Sequence, residues 1–103
     1  MDPHLSTAHE RLGHTLYRQE KLDEAVDTYE RAITLNPRDG VAHAGLGVVR
    51  MTQYLADPSQ AALRTEAIEH WHRSLELEPN QPKLRKLLAK YHPPAVARAG
   101  VAP

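Results

Sequence analysis

The chain has 103 residues, and its 13 Lys and Arg are balanced by 13 Asp and Glu, so the formal net charge is zero. That length supports one hydrophobic core and not two, while 41% apolar and 25% charged residues exclude a disordered composition. Neutrality argues against whole-surface nucleic-acid binding, and the absence of cysteine excludes a disulfide scaffold or a thiolate metal site.

Apolar runs are only a few residues long, so no membrane span is expected. Met1-Asp2-Pro3-His4 has neither the basic start nor the apolar stretch of a signal peptide, which makes a cytoplasmic location the expectation. In chain order, hydrophobic periodicity predicts five helices, over 4–18, 22–35, 39–55, 58–77 and 82–91. In the first, Ala8, Leu12, Leu16 and the small Gly13 follow helical spacing; in the second, Leu22, Val26, Tyr29 and Ile33 do. Gly13, Ala25 and Ala32 are where two antiparallel helices can touch closely. Asn36-Pro37 and Glu78-Pro79 end their helices, because proline disfavours helical geometry at the residue before it and supplies no donor. Around Tyr54–Gln60, Asp57 reads as an N-cap, Pro58 as the first helical position and Gln60 as the partner of a capping box. The fourth helix is therefore expected to be lengthened by about two turns at its start; a loop is the rival reading. In the last helix Leu84, Leu87 and Leu88 are expected to cover the second repeat as a terminal cap. Residues 93–103, rich in Ala, Pro, Gly and Val, are expected to form a disordered tail.

An internal repeat organises these elements. His9-x2-Leu12-Gly13 recurs as His43-x2-Leu46-Gly47, 34 residues on, whereas Ala25-x3-Tyr29 recurs as Ala67-x3-Trp71 and Pro37 as Pro79, 42 residues on. An eight-residue insertion lies between the two sets. With Tyr17, Ala32, Leu35-Asn36-Pro37 and Leu77-Glu78-Pro79, these residues resemble the tetratricopeptide repeat. The resemblance implies an all-α fold, a short solenoid of antiparallel helix pairs. Its domain would span 1–92, with repeats at about 6–39 and 40–81 and a capping helix at about 82–91. Departures fall at His9, Leu16, Arg50 and Ser74. Arg50 has two readings: a side chain paired with Glu66 or Glu69, or an anion contact.

The resemblance also implies a non-catalytic module for protein–protein contact whose first helices line a concave groove. Carried over by position, the first repeat would show Thr7, Glu10, His14, Tyr17 and Arg18. The second would show Val41, Ala44, Val48, Met51 and Thr52, and the third helix Lys83, Lys86 and Lys90. The apolar residues Val41, Ala44, Val48 and Met51 recur at helical spacing, so groove wall and inter-helix core are both open to them. Residues 82–103 hold five basic and no acidic side chains, which favours an acidic partner segment with one or two apolar anchors. Family members that bind a chaperone tail's terminal carboxylate use fixed Lys, Asn and Arg positions. Here Glu10, His14, Gly45 and Leu87 stand at four of them and only Lys83 fits, so that partner is disfavoured.

The seven histidines do not read as a metal site. His9 and His14 are five apart, about 140° around a helix, and His70 and His72 diverge by about 200°. No nucleophile elbow or phosphate-cradling loop is present. No enzyme activity, cofactor, metal or nucleic-acid partner is expected. Homo-oligomerisation through the repeat ends or the concave face is the alternative function.

Overall fold

A computed structural model describes residues 3–92; the tail expected at 93–103 lies outside the described residues. Five helices follow one another: α1 Pro3–Arg18, α2 Leu22–Leu35, α3 Gly40–Ala56, α4 Ala61–Leu77 and α5 Pro82–Tyr91. No strand occurs among the described residues, and no described helix is long and apolar enough to cross a membrane.

Close approach within each pair is set by a glycine under an aromatic ring. Gly13 of α1 is buried, and a Cβ there would stand 3.0 Å from the ring of Tyr29 on α2. Gly47 of α3 repeats the contact with Trp71 of α4, whose indole would overlap a Cβ outright. Ala25, Ala32 and Ala67 complete these crossings with no exposed surface at all. Two apolar clusters result. Tyr29, Val26, Leu46 and Val49 anchor the first, between α1, α2 and α3. Trp71, Ile68, Met51, Leu84 and Leu88 anchor the second, between α3, α4 and α5. Leu84 and Leu88 thus cover the second repeat as expected of a cap, and Leu87 packs beside them half-buried.

A serine hydroxyl bridges the two helices of each repeat at the same level. In the first repeat Ser6 on α1, 1% exposed, reaches the Ala32 carbonyl of α2 at 3.1 Å. In the second the serine is on the other partner: Ser74 of α4 donates to the Gly40 carbonyl of α3 at 2.6 Å. Gln81 Nε2 donates to Ser74 Oγ at 3.0 Å, so the hydroxyl is fully satisfied. That accounts for serine at 74 where the repeat pattern has alanine.

The helix ends show how the insertion is absorbed, and correct the sequence expectation. α3 runs nine residues beyond Gly47, where α1 runs five beyond Gly13; α4 begins six before Ala67, where α2 begins three before Ala25. Each helix of the second repeat gains about one turn, instead of α4 gaining two. Asp57 is the C-cap of α3, its N–H bonded to the Gln53 and Tyr54 carbonyls. Its carboxylate accepts from the Ser59 hydroxyl at 2.6 Å and from Gln60 Nε2 at 2.9 Å. An Asp that folds back on the two residues after a proline makes a turn, and that turn wins over the N-cap. In the first repeat the α1–α2 turn is closed by Lys21 N–H to Leu16 O and Glu20 N–H to Tyr17 O, both 2.9 Å. Glu20 holds the left-handed φ of 63° that this double closure requires.

Arg50 takes its pairing role. Its Nε lies 2.9 Å from Glu66 Oε2, a contact between α3 and α4, and Nη1 donates to Gln53 at 3.0 Å.

Candidate functional site

Side chains of α1, α3 and α5 converge on an open groove of about 850 Å³. Glu10, Arg11, His14 and Thr15 form the α1 wall, one turn apart on one face. Val41, Ala44, Gly45 and Val48 form the α3 wall, with the Tyr29 ring between the two. Gln81, Pro82, Lys83, Leu84 and Leu87 close the far side. Val41 is 49% exposed, unusually open for valine inside a groove, and therefore available for contact.

Of the residues expected at the site, Glu10, His14, Val41, Ala44, Val48 and Lys83 come together here. The others do not. Met51 is 3% exposed and lies in the second core cluster. Helical spacing cannot separate a groove residue from a core residue one turn on, and Met51 falls on the α4–α5 side of α3. Tyr17 packs against the first core cluster with its hydroxyl 3.1 Å from that of Thr52. Because Thr52 Oγ1 donates to the Val48 carbonyl at 2.8 Å, Tyr17 is the donor of that pair. Arg18 is exposed at the end of α1, and Lys86 and Lys90 are exposed on α5; none of the three lines the groove. The Lys90 ammonium stands 5.1 Å from the centre of the Tyr91 ring. Sequence reasoning did not assign Arg11, Thr15, Gln81 or the Tyr29 floor to the site. The signal for Tyr29 was available in Gly45: a Cβ there would sit 2.6 Å from the Tyr29 hydroxyl, so the glycine is what lets the ring reach the groove.

Electrostatics centre on Glu10. Burial, a hydrogen bond to the Asp39 carboxylate, and the charges of Asp39 and Glu78 raise its pKa to about 7, against the opposing pull of Arg11. Asp39 is fixed independently: it accepts from Ala42 N–H at 3.0 Å as the N-cap of α3, and lies 2.6 Å from Ser6 Oγ. Glu10 is therefore the member of the pair that carries the shared proton. Burial and the Glu10 charge push the Tyr29 hydroxyl up to about 12, so it stays a neutral phenol. The groove thus offers apolar walls, hydrogen-bonding groups on its floor, and cations at opposite rims, Arg11 and Lys83.

Among the described residues, two histidine pairs lie outside the groove: the rings of His72 and His92 meet edge-on with centres 6.0 Å apart, and His43 pairs with His70. His43 Nε2–H donates to the Pro37 carbonyl at 3.1 Å, leaving Nδ1 to accept from His70 Nδ1–H at 3.1 Å. Burial and the neighbouring His43 lower the His70 pKa. No group of three metal-ligating side chains occurs among the described residues.

The comparisons agree with this architecture. The tetratricopeptide-repeat family model matches residues 6–39. Over 51 residues, half of this chain, the sequence is 39% identical to the Cell division cycle protein 27 homolog of Caenorhabditis elegans, and the match takes in 6% of that protein's length. Among solved structures, the first TPR domain of Spaghetti (RPAP3), bound to the HSP90 peptide SRMEEVD, superposes with a TM-score of 0.52 at 22% identity. The superposition covers 96% of this chain and 97% of that one. With the 34-residue period, the glycine–aromatic crossings and the stacked helix pairs, these matches show a helical-repeat fold similar to the tetratricopeptide repeat, with the family's own pattern matched over residues 6–39.

Proposed function

We propose that this chain is a non-catalytic protein–protein interaction module that takes a peptide or helical segment of a partner in the groove between α1, α3 and α5. The observation that carries the reading is the apolar wall of exposed Val41 and half-buried Ala44 and Val48, set between Arg11 and Lys83 and floored by the Tyr29 ring. Apolar side chains half open to water gain free energy when an anchor covers them, at about 25 cal/mol per Å² removed from water. Cations at the rims set register and on-rate. The partner is an acidic segment with one or two apolar anchors. Val41 and Val48 seat the anchors, replacing the buried Met51 in that role, and Lys83 and Arg11 meet the acids. The solved neighbour is bound to a peptide, which supports a peptide-binding use of this fold. That peptide's own class is disfavoured here, because Glu10 and Leu87 face the groove where a carboxylate-binding set has cations.

Selection of random displayed peptides on the immobilised domain tests the reading. Enriched sequences are expected to carry an apolar residue near Asp or Glu, and to lose binding at least tenfold on Val48→Glu. Enrichment indifferent to Val48→Glu and Val41→Glu overturns it. A second reading, self-association through a repeat end, is favoured by Leu5 and Leu12, each 49% exposed on the outer face of α1. Sedimentation over a hundredfold range of concentration separates the two.

A further inference from the structure

The two complete repeats share a rule that α5 leaves unfulfilled. In each, the small residue after the recurring leucine of the first helix lies under an aromatic ring of the second: Gly13 under Tyr29, Gly47 under Trp71. The aromatic follows an alanine by four residues in both, Ala25 and Ala67. In α5 the same position is Ala89, after Leu88. Ala89 is exposed, and with Arg85, Leu88 and His92 it borders a cleft of about 570 Å³ whose other wall is His72, Leu75 and Glu76 of α4. This cleft lies apart from the concave groove, with which it shares no lining residue.

We propose that this cleft docks an amphipathic α-helix of another protein, one that presents a small residue and, four positions later, a tyrosine or phenylalanine onto Ala89. The occupant's chemistry follows from the complete repeats. A Cβ at Gly13 comes to 3.0 Å of the Tyr29 ring, a gap that a shift of a few tenths of an ångström opens; at Gly47 the indole overlaps the Cβ. Ala89 carries that Cβ, so a six-membered ring fits and an indole does not. Charge narrows the occupant further. On the α5 side Arg85 lines the cleft and Lys86 and Lys90 are exposed on the same helix, whereas α4 contributes Glu76, so acids are favoured on the side of the docking helix that meets α5. Within this chain the helices of that pattern, α2 and α4, are already seated on their own glycines, and residues 93–103 contain no aromatic residue.

The probe is a capped synthetic peptide with the sequence of residues 22–35, which has the small-x3-Tyr pattern and four acids against one arginine. Titrated into the full-length chain and followed by NMR, it is expected to shift the Leu88, Ala89 and His92 resonances saturably. Tyr29→Ala in the peptide is expected to weaken binding at least tenfold. So is Ala89→Leu in the protein, an exposed substitution whose fold is checked by the near-ultraviolet signal of Trp71. Arg18→Glu, an exposed change at the end of α1 and outside both sites, is expected to leave the affinity within twofold. Three results overturn the proposal: no saturable shift; shifts centred on Gly13, meaning the peptide displaces α2; or binding indifferent to both the Tyr29→Ala peptide and Ala89→Leu. Concentration-dependent self-association lost on Ala89→Leu would assign the cleft to a second copy and overturn it as well.

Discussion

Glu10 sits where α1 meets the N-cap of α3, and its proton ties the groove to pH. The folded chain holds that proton up to about pH 7, while an unfolded Glu releases it near 4.5. The stability it contributes is therefore fully present below pH 4.5 and lost as pH rises through 7. His70 runs the other way: its folded value lies below 6.5, so its contribution is present above that and is lost as pH falls. Glu10→Gln keeps a donor toward Asp39 and removes the titration. Its stability advantage over the parent is expected to grow between pH 5 and pH 8, by on the order of 1 kcal/mol once solvent screening is discounted. Denaturant unfolding of both chains across that range checks it; a pH-independent difference refutes the shared proton. Gly45 gives a second outcome. Tyr29 is 4% exposed and bounded by Gly13 on its other side, so it has no room to yield to a Cβ at 45. Gly45→Asn is expected to lose about 1–3 kcal/mol by overpacking, with an unchanged melting temperature as the contrary result. None of the Glu10–Asp39 chemistry was legible in the sequence, because the two residues are brought together only by the crossing of α1 over the α2–α3 turn.

At the scale of the element, helix ends separate what the sequence reveals from what it conceals. α2, set by the Leu22, Val26, Tyr29 and Ile33 period and stopped by Asn36-Pro37, begins and ends where the pattern places it. The insertion does not, because Asp57-Pro58 satisfies two local rules at once, N-cap followed by first-turn proline, or turn. The capture of Ser59 and Gln60 by the Asp57 carboxylate decides between them. The α1–α2 turn lies between residues 18 and 22, where the pattern places it, but the way it closes is not marked in the sequence. Its left-handed residue is Glu20, and the usual sequence mark of such a closure is glycine. Glu20 carries a Cβ penalty of about 1 kcal/mol there. Glu20→Gly removes that penalty and loosens the unfolded chain by a comparable entropy. The net change is expected to stay within about 0.5 kcal/mol of zero. Glu20→Val, β-branched at positive φ, is expected to cost more than about 1 kcal/mol. Equal thermal stability of the glycine and valine variants would show that the turn holds no strain.

At the scale of the molecule, α3 is the shared wall. Leu46 and Val49 serve the first cluster and Met51 the second, so each repeat is stable partly through its neighbour, as in a one-dimensional stack. The small residues, aromatics and prolines made this stack legible, because each marks a contact within a repeat that recurs at a fixed offset. The groove was only half legible, because it belongs to no single repeat: its walls are α1, α3 and α5 together. The stack also makes the two ends unequal in their dependence on α5. The first cluster contains no residue of α5, whereas Leu84 and Leu88 cover Trp71 and Met51 in the second. We therefore expect the fragment 1–81 to keep the helicity of α1 and α2 while losing the packing around Trp71. The emission of Trp71, the one tryptophan, is expected to shift red and become quenchable by iodide, and the uncovered apolar face is expected to drive association. Met51→Ala in the full chain leaves a cavity in the same cluster and is expected to cost about 2–5 kcal/mol, with the emission moving in the same direction. A monomeric 1–81 fragment with the parent's Trp71 emission would mean that α5 is a passenger on the second repeat and not part of its core.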